Sequence, residues 1–267
     1  MKTLLFITLM IGLFPSIKAE VSPSRGTLIS KILNRFHYSS PNSQKNTFLF
    51  PEVRLQEIIR VTEVIEQQTH PEDLLIMLGR APLWVAEAMI LNGSQKNIKK
   101  VAFSGKPYAT EESVPTWKQL KAYRRYLEFL SINIDSLINH PGKIVVVDHL
   151  QTGSTVLGFI KILCAWVFEK EHINIEDKFR IINLTRIDLL DSPIQKFYLE
   201  NIEYPIFNIT MESFANYALS NCKDEESLGI YFPISHWTRH QKICQGYHSN
   251  ALKIREQLKA YIKKLKP

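Results

Sequence analysis

The stretch Ile144-Val-Val-Val-Asp-His-Leu-Gln-Thr-Gly-Ser-Thr155 decides how the chain is read. Four consecutive β-branched aliphatics follow the Pro141-Gly142 breaker, and a strand that is apolar on both faces belongs in the middle of a parallel sheet covered by helices. Its carboxyl end is Asp148. At that edge of an open α/β sheet, the loops leaving the strands open onto the N-termini of the next helices, and ligands bind there. Thr152-Gly153-Ser154-Thr155 then offers a glycine for close backbone approach, three hydroxyls and amides that precede a helix. Such a turn can cradle a phosphate. The following helix is expected over roughly 156–170, with Val156, Leu157, Ile160, Leu163 and Val167 at helical spacing and its positive end facing the anion. A plain strand-turn-helix, in which Asp148 and Thr152 only cap, has the same local pattern.

Two further junctions of this kind lie upstream. Leu74 to Leu78 is an aliphatic run followed by Gly79-Arg80-Ala81-Pro82 and a helix-like stretch over 83–91. Gly79 allows close approach of the backbone, and Arg80 supplies a fork of donors suited to phosphate oxygens. The plainer reading is a C-capping glycine and a surface arginine. Val101 to Ser104 reads as a short strand, followed by Gly105-Lys106-Pro107-Tyr108 and a polar stretch to Val114. Amphipathic helices are expected over 52–68, from Val53, Leu55, Ile58, Ile59 and Ile65, and over 117–130, from Trp117, Leu120, Tyr123, Leu127 and Leu130. A further strand is expected at Phe179 to Leu184. Strands and helices thus alternate as a parallel sheet requires, and 267 residues with 45% hydrophobic content suffice for one large α/β domain plus an added segment.

Taken in order, the three junctions resemble the type I phosphoribosyltransferases (PRTases). Asp148 falls in the place of the second acidic residue of that family's loop for 5-phosphoribosyl 1-diphosphate (PRPP), and Thr152, Gly153, Ser154 and Thr155 fall where the ribose 5-phosphate is held. Gly79 and Arg80 are similar to the pyrophosphate loop, and Lys106 to the basic residue at the end of the next strand, after which a mobile loop closes over the reaction. The resemblance covers roughly residues 52–186. It implies a PRTase-like central parallel sheet flanked by helices, Mg2+ as cofactor if the chain is active, and departure of pyrophosphate as a nitrogen acceptor attacks C1 of the ribose. It also implies roles: Asp148 holding a ribose hydroxyl, Thr152, Ser154 and Thr155 the 5-phosphate, and Gly79, Arg80 and Lys106 the diphosphate. Two positions depart from the family pattern. Val147 stands in place of the first acidic residue, and Gln151 stands where purine-salvage members carry a catalytic aspartate.

The N-terminus reads as a secretory signal over 1–19: a basic start at Lys2, a mostly apolar run from Leu4 to Phe14, and Ala19 before Glu20. An exported chain without a membrane span is expected, because no segment approaches roughly 20 apolar residues. Residues 20–51 form a polar extension, 52–200 the core, and 201–267 a C-terminal hood or helical extension. Export conflicts with a donor made in the cytosol, which leaves open an exported non-catalytic binding or interaction protein, or a secreted effector, on an inactive PRTase-like fold.

The C-terminal third holds no recognised motif. Gly229 to Trp237 is aromatic-rich and reads either as a stacking surface for a flat acceptor or as a second small core. Cys222 and Cys244 either pair or remain free, with Cys164 a small buried residue. His236, His240, Cys244 and His248 recur every four residues, but Pro233 and Gly246 argue against the continuous helix that zinc ligation would need. The formal charge of +7, about +5 without Lys2 and Lys18, favours anionic partners. Leu252 to Leu265 is expected as a basic amphipathic helix whose Lys253, Arg255, Lys259, Lys263 and Lys264 read as a solvated face first and a weak anion-binding patch second, without a nucleic-acid motif.

Overall fold

A computed structural model of the chain describes residues 49–212, 232–242 and 249–266. The signal sequence, Cys222, Cys244 and His248 lie outside the described residues. Helix α1 (Glu52–Gln68) leads into strand β1 (Leu74–Leu78), α2 (Leu83–Asn92) and β2 (Asn97–Val101). Then come α3 (Trp117–Phe129), the short α4 (Ile134–Ile138), β3 (Ile144–Asp148), α5 (Ser154–Glu171) and β4 (Phe179–Thr185). Two short helices, α6 (Ile187–Leu190) and α7 (Pro193–Glu200), precede β5 (Ile206–Thr210), and α8 (Ser249–Leu265) ends the chain.

The five strands pair in parallel throughout, in the order β2-β1-β3-β4-β5. This is the α/β sheet flanked by helices that the sequence predicts. Strand alternation divides the core into two layers. Leu75, Met77, Val145, Val147, Ile182 and Leu184 face α1, α2 and α8, while Leu74, Ile76, Ile144, Val146, Phe179 and Ile181 face α3 and α5. All five residues of β1 and of β3 are buried, as strands with helices on both faces must be.

The order reverses between β1 and β3. From β1 the chain crosses to β2 on one side, and from β3 it crosses to β4 on the other, so the loops after β1 and β3 part above their shared carboxyl edge. Such a switch point leaves a crevice for a ligand.

Three expectations change. The second strand lies at 97–101 rather than 101–104. As an edge strand it needs only one apolar face, and Lys100 is accommodated by an ion pair with Glu87 of α2. Ala102 lies beyond it, its N–H donating to Tyr126 Oη at 2.8 Å and its carbonyl accepting from Tyr123 Oη at 3.1 Å. The sheet also runs past residue 200: β5 adds a fifth strand, and Ala251, Ile254, Leu258 and Ile262 of α8 pack into the layer under α1 and α2. The final stretch is the basic amphipathic helix that the sequence predicts, its apolar side buried in this layer. Finally, Phe232 and Trp237 pack as core residues, as one of the two readings has it, but in the layer under α3 and α5 rather than in a second small core, with Trp237 stacked on Tyr123 at 4.4 Å between centroids.

No helix among the described residues is long and apolar enough to cross a membrane. Among them no cluster of His, Cys, Asp or Glu has the makings of a metal site, and His236 is exposed. Cys164 is free and buried, its thiol pushed up to about 12 by burial, so it acts as a small apolar residue.

Candidate functional site

Each of the three strand-exit loops turns on a glycine in the left-handed region: Gly79 after β1 (φ +73°), Gly105 after β2 (φ +97°) and Gly153 after β3 (φ +74°). Only glycine adopts that backbone without steric cost. At Gly153 a Cβ would also lie 2.5 Å from Ile202 Cδ1, and at Gly79 one would lie 3.2 Å from the Phe103 carbonyl. The loops converge on one cavity of about 250 Å³ at the switch point. Its lining comprises Gly79, Arg80 and Ala81 from the first loop, Phe103 and Lys106 from the second, and Asp148 through Gly153 plus Thr155 from the third. Of the residues singled out in the sequence only Ser154 does not line it. Its Oγ lies instead 2.9 Å from Thr152 Oγ1.

Two helix N-termini open at this edge. In α5 the first intrahelical donor is Leu157, whose N–H meets the Gly153 carbonyl at 2.9 Å, so the amides of Ser154 to Val156 precede the helical ladder. The Ser154 N–H makes only a long contact, 3.4 Å, to Thr152 Oγ1. Helix α2 begins just past Arg80, with Pro82 ahead of its first residue. Both ends carry partial positive charge.

Asp148 is 8% exposed. Its Oδ1 accepts the His149 N–H at 2.7 Å, while burial raises its carboxyl to about 8. At neutral pH it is therefore mostly protonated. It is the one carboxyl group among the described lining residues, which also include the cationic Arg80 and Lys106. Arg80 is half-buried, which strengthens its field, and Lys106 is exposed at the rim.

Sequence reading missed the groups that shape the third loop. His149 Nδ1 bonds the Leu184 carbonyl, which can only accept, so Nδ1 carries the proton and Nε2 the lone pair. Burial lowers the basicity of this imidazole; the Leu184 carbonyl opposes that, and nearby Arg186 adds to it. Nε2 is buried with no partner among the described residues. The Leu150 N–H donates to Asn183 Oδ1 at 2.9 Å, and its carbonyl accepts from Gln195 Nε2 at 2.7 Å. Asn183 pairs in register with Asp148 across β3 and β4, and its Nδ2 donates to Asn208 Oδ1 of β5 at 2.8 Å. His149 lies inside the quoted stretch and was open to notice. Asn183 and Gln195 act from 33 and 45 residues away, and no local pattern marks them.

The site does not fit a Mg2+ ion held by protein carboxylates. Val147 packs in the apolar layer under α1 and α2, which leaves Asp148 as the one carboxyl group among the described lining residues. Compared with protein-family models, with curated proteins and with solved structures, the chain matches none.

Proposed function

We propose that the chain is a phosphoribosyltransferase-like protein that binds PRPP or a related ribose 5-phosphate ester in the switch-point cavity. One observation carries the reading: loops from three separate strands bring Gly79 and Arg80, Lys106, and Asp148 to Gly153 to a single cavity where two cationic side chains meet two helix N-termini. Anion binding follows from that arrangement. The 5-phosphate belongs at the amides of Thr152 to Val156 and the Thr152 hydroxyl, the diphosphate at Gly79, Arg80 and Lys106, and a ribose hydroxyl at Asp148. Mg2+ enters, on this reading, only as a counter-ion of the diphosphate.

A second reading, an exported binding protein or effector without turnover, draws support from the same place. Val147 is fully buried in the core, so the position of the family's first acidic residue is built into the apolar layer, and Gln151 offers no base for a nitrogen acceptor. Binding of the phosphate ester is what the first reading requires and the second allows. Calorimetric titration with PRPP and with ribose 5-phosphate, each with and without Mg2+, tests it alongside an assay of PRPP hydrolysis or transfer. Saturable binding of either ester at a stoichiometry of about one supports the proposal, and turnover then separates enzyme from binder. Heat of neither ligand above dilution, with a folded protein, refutes phosphate-ester binding and leaves an interaction protein or effector on an inactive fold, to be tested with protein partners.

A further inference from the structure

In the resembled family the loop after the second strand is mobile, and the threonine corresponding to Thr155 holds phosphate. Here both positions are otherwise engaged. Thr155 Oγ1 donates its proton to the Gly105 carbonyl at 2.9 Å, so that hydroxyl has no hydrogen left for a phosphate oxygen. One turn further along α5, Gly158 packs so closely on the same loop that a Cβ there would lie 2.7 Å from Pro107 Cγ and 2.8 Å from the Pro107 carbonyl. Lys106 sits between these two anchors. Its flanks are held as well: the Phe232 N–H donates to Ser104 Oγ at 3.2 Å, and the Ala109 N–H returns to the Lys106 carbonyl at 3.2 Å. Tyr108 closes the turn in the left-handed region, φ +65°, where a residue with a side chain stays only if its surroundings enforce it. Its N–H donates to the Ser113 carbonyl at 3.3 Å, and Thr110 and Ser113 cap each other.

We infer that Thr155 and Gly158 are positioning residues: they fasten the loop of residues 105–114 to α5 as a fixed wall and thereby set the Lys106 ammonium at the rim of the cavity. The loop is a wall and not a closing lid. The Thr155 side chain acts on a bound anion through Lys106 and not by touching it. This inference rests on the phosphate-binding reading for its consequence, but the fastening itself has an independent readout.

Inorganic pyrophosphate is titrated calorimetrically into the chain and into its Lys106→Ala, Thr155→Val, Thr155→Ser and Lys106→Ala/Thr155→Val variants. Losing one exposed cationic contact weakens binding by roughly threefold to tenfold. Thr155→Val is expected to weaken it within that range, Thr155→Ser to restore it, and the double variant to bind no more weakly than Lys106→Ala alone. Multiplying losses in the double variant would mean that Thr155 meets the anion itself, and would overturn the inference. Amide hydrogen exchange at Ala109 and Val114 decides the fastening without any ligand. Protection in the natural chain that falls in Thr155→Val and in Gly158→Ala is expected, whereas no protection in the natural chain would show a mobile loop and refute the wall. A natural chain that binds no pyrophosphate yet shows that pattern of protection would refute the proposed function and leave the fastening standing.

Discussion

Replacing Asp148 by asparagine should stabilise the protein, and increasingly so as the pH rises. The carboxyl is raised to about 8 in the fold against an ordinary 3.8, because burial disfavours its charged form. A raised acid is protonated when folded and ionised when unfolded at any pH between those values. The unfolded state then binds fewer protons, and stability falls as the pH rises from the unfolded value to the folded one. The slope approaches about 1.4 kcal/mol per pH unit, so the cost at pH 7 is on the order of 4 kcal/mol and levels off above about pH 8. Asparagine keeps the shape and the acceptor for the His149 N–H, but it never ionises. Urea unfolding of both proteins at intervals from about pH 4 to pH 9 measures the difference directly. Near pH 4 the two should be nearly equal, and the variant should gain steadily through neutrality. A flat difference, or an asparagine variant that is the less stable at pH 8, would show that Asp148 ionises freely and that the cavity holds a carboxylate. The natural aspartate would be retained at that cost for what it binds, a common trade between stability and a working site.

Three other outcomes follow from the same geometry. Gly153→Ala should cost about 1–2 kcal/mol from the left-handed backbone alone, with further loss as Ile202 shifts away, and should weaken ribose 5-phosphate binding; chemical denaturation and calorimetry read both. Glu87→Gln should cost about 2 kcal/mol at pH 7, because the carboxylate is buried between Lys100 and Arg255, whose partial exposure moderates the loss. Although burial pulls the other way, those two cations hold the Glu87 carboxyl below its ordinary 4.5, so its contribution is present above that pH and lost as pH falls through the folded value, and the gap to the variant should close in acid. Trp237→Ala should cost on the order of 3–5 kcal/mol by emptying the fully buried site against Tyr123 and Phe103, without changing the affinity of the cavity for phosphate esters.

Much of the sheet was legible because burial on both faces leaves an unbroken aliphatic run. β1 and β3 declare themselves in this way, and so do the loops that follow them. The edge strands do not. Asn97-Ile-Lys-Lys-Val101 carries two lysines, one of them paired with Glu87, and looks like a surface turn, while Ile206-Phe-Asn-Ile-Thr210 is short and half-exposed. Helix α8 showed its lysines in sequence, but its apolar side acquires meaning only when α1 and α2 lie against it. At the site, residue types pointed to phosphate chemistry, yet two facts needed three dimensions. Burial of Asp148 changes its protonation, and the hydrogen bond from Thr155 to Gly105 commits a hydroxyl that a linear motif leaves available.

The most direct test of the account is amide chemical-shift mapping of the isotope-labelled protein as ribose 5-phosphate is added. Saturable shifts concentrated at Gly79, Arg80 and Thr152 to Val156, with little change along α8, are the expected result. Absence of shifts at those amides, or shifts confined to the lysine-rich face of α8, would contradict a phosphate site at the switch point.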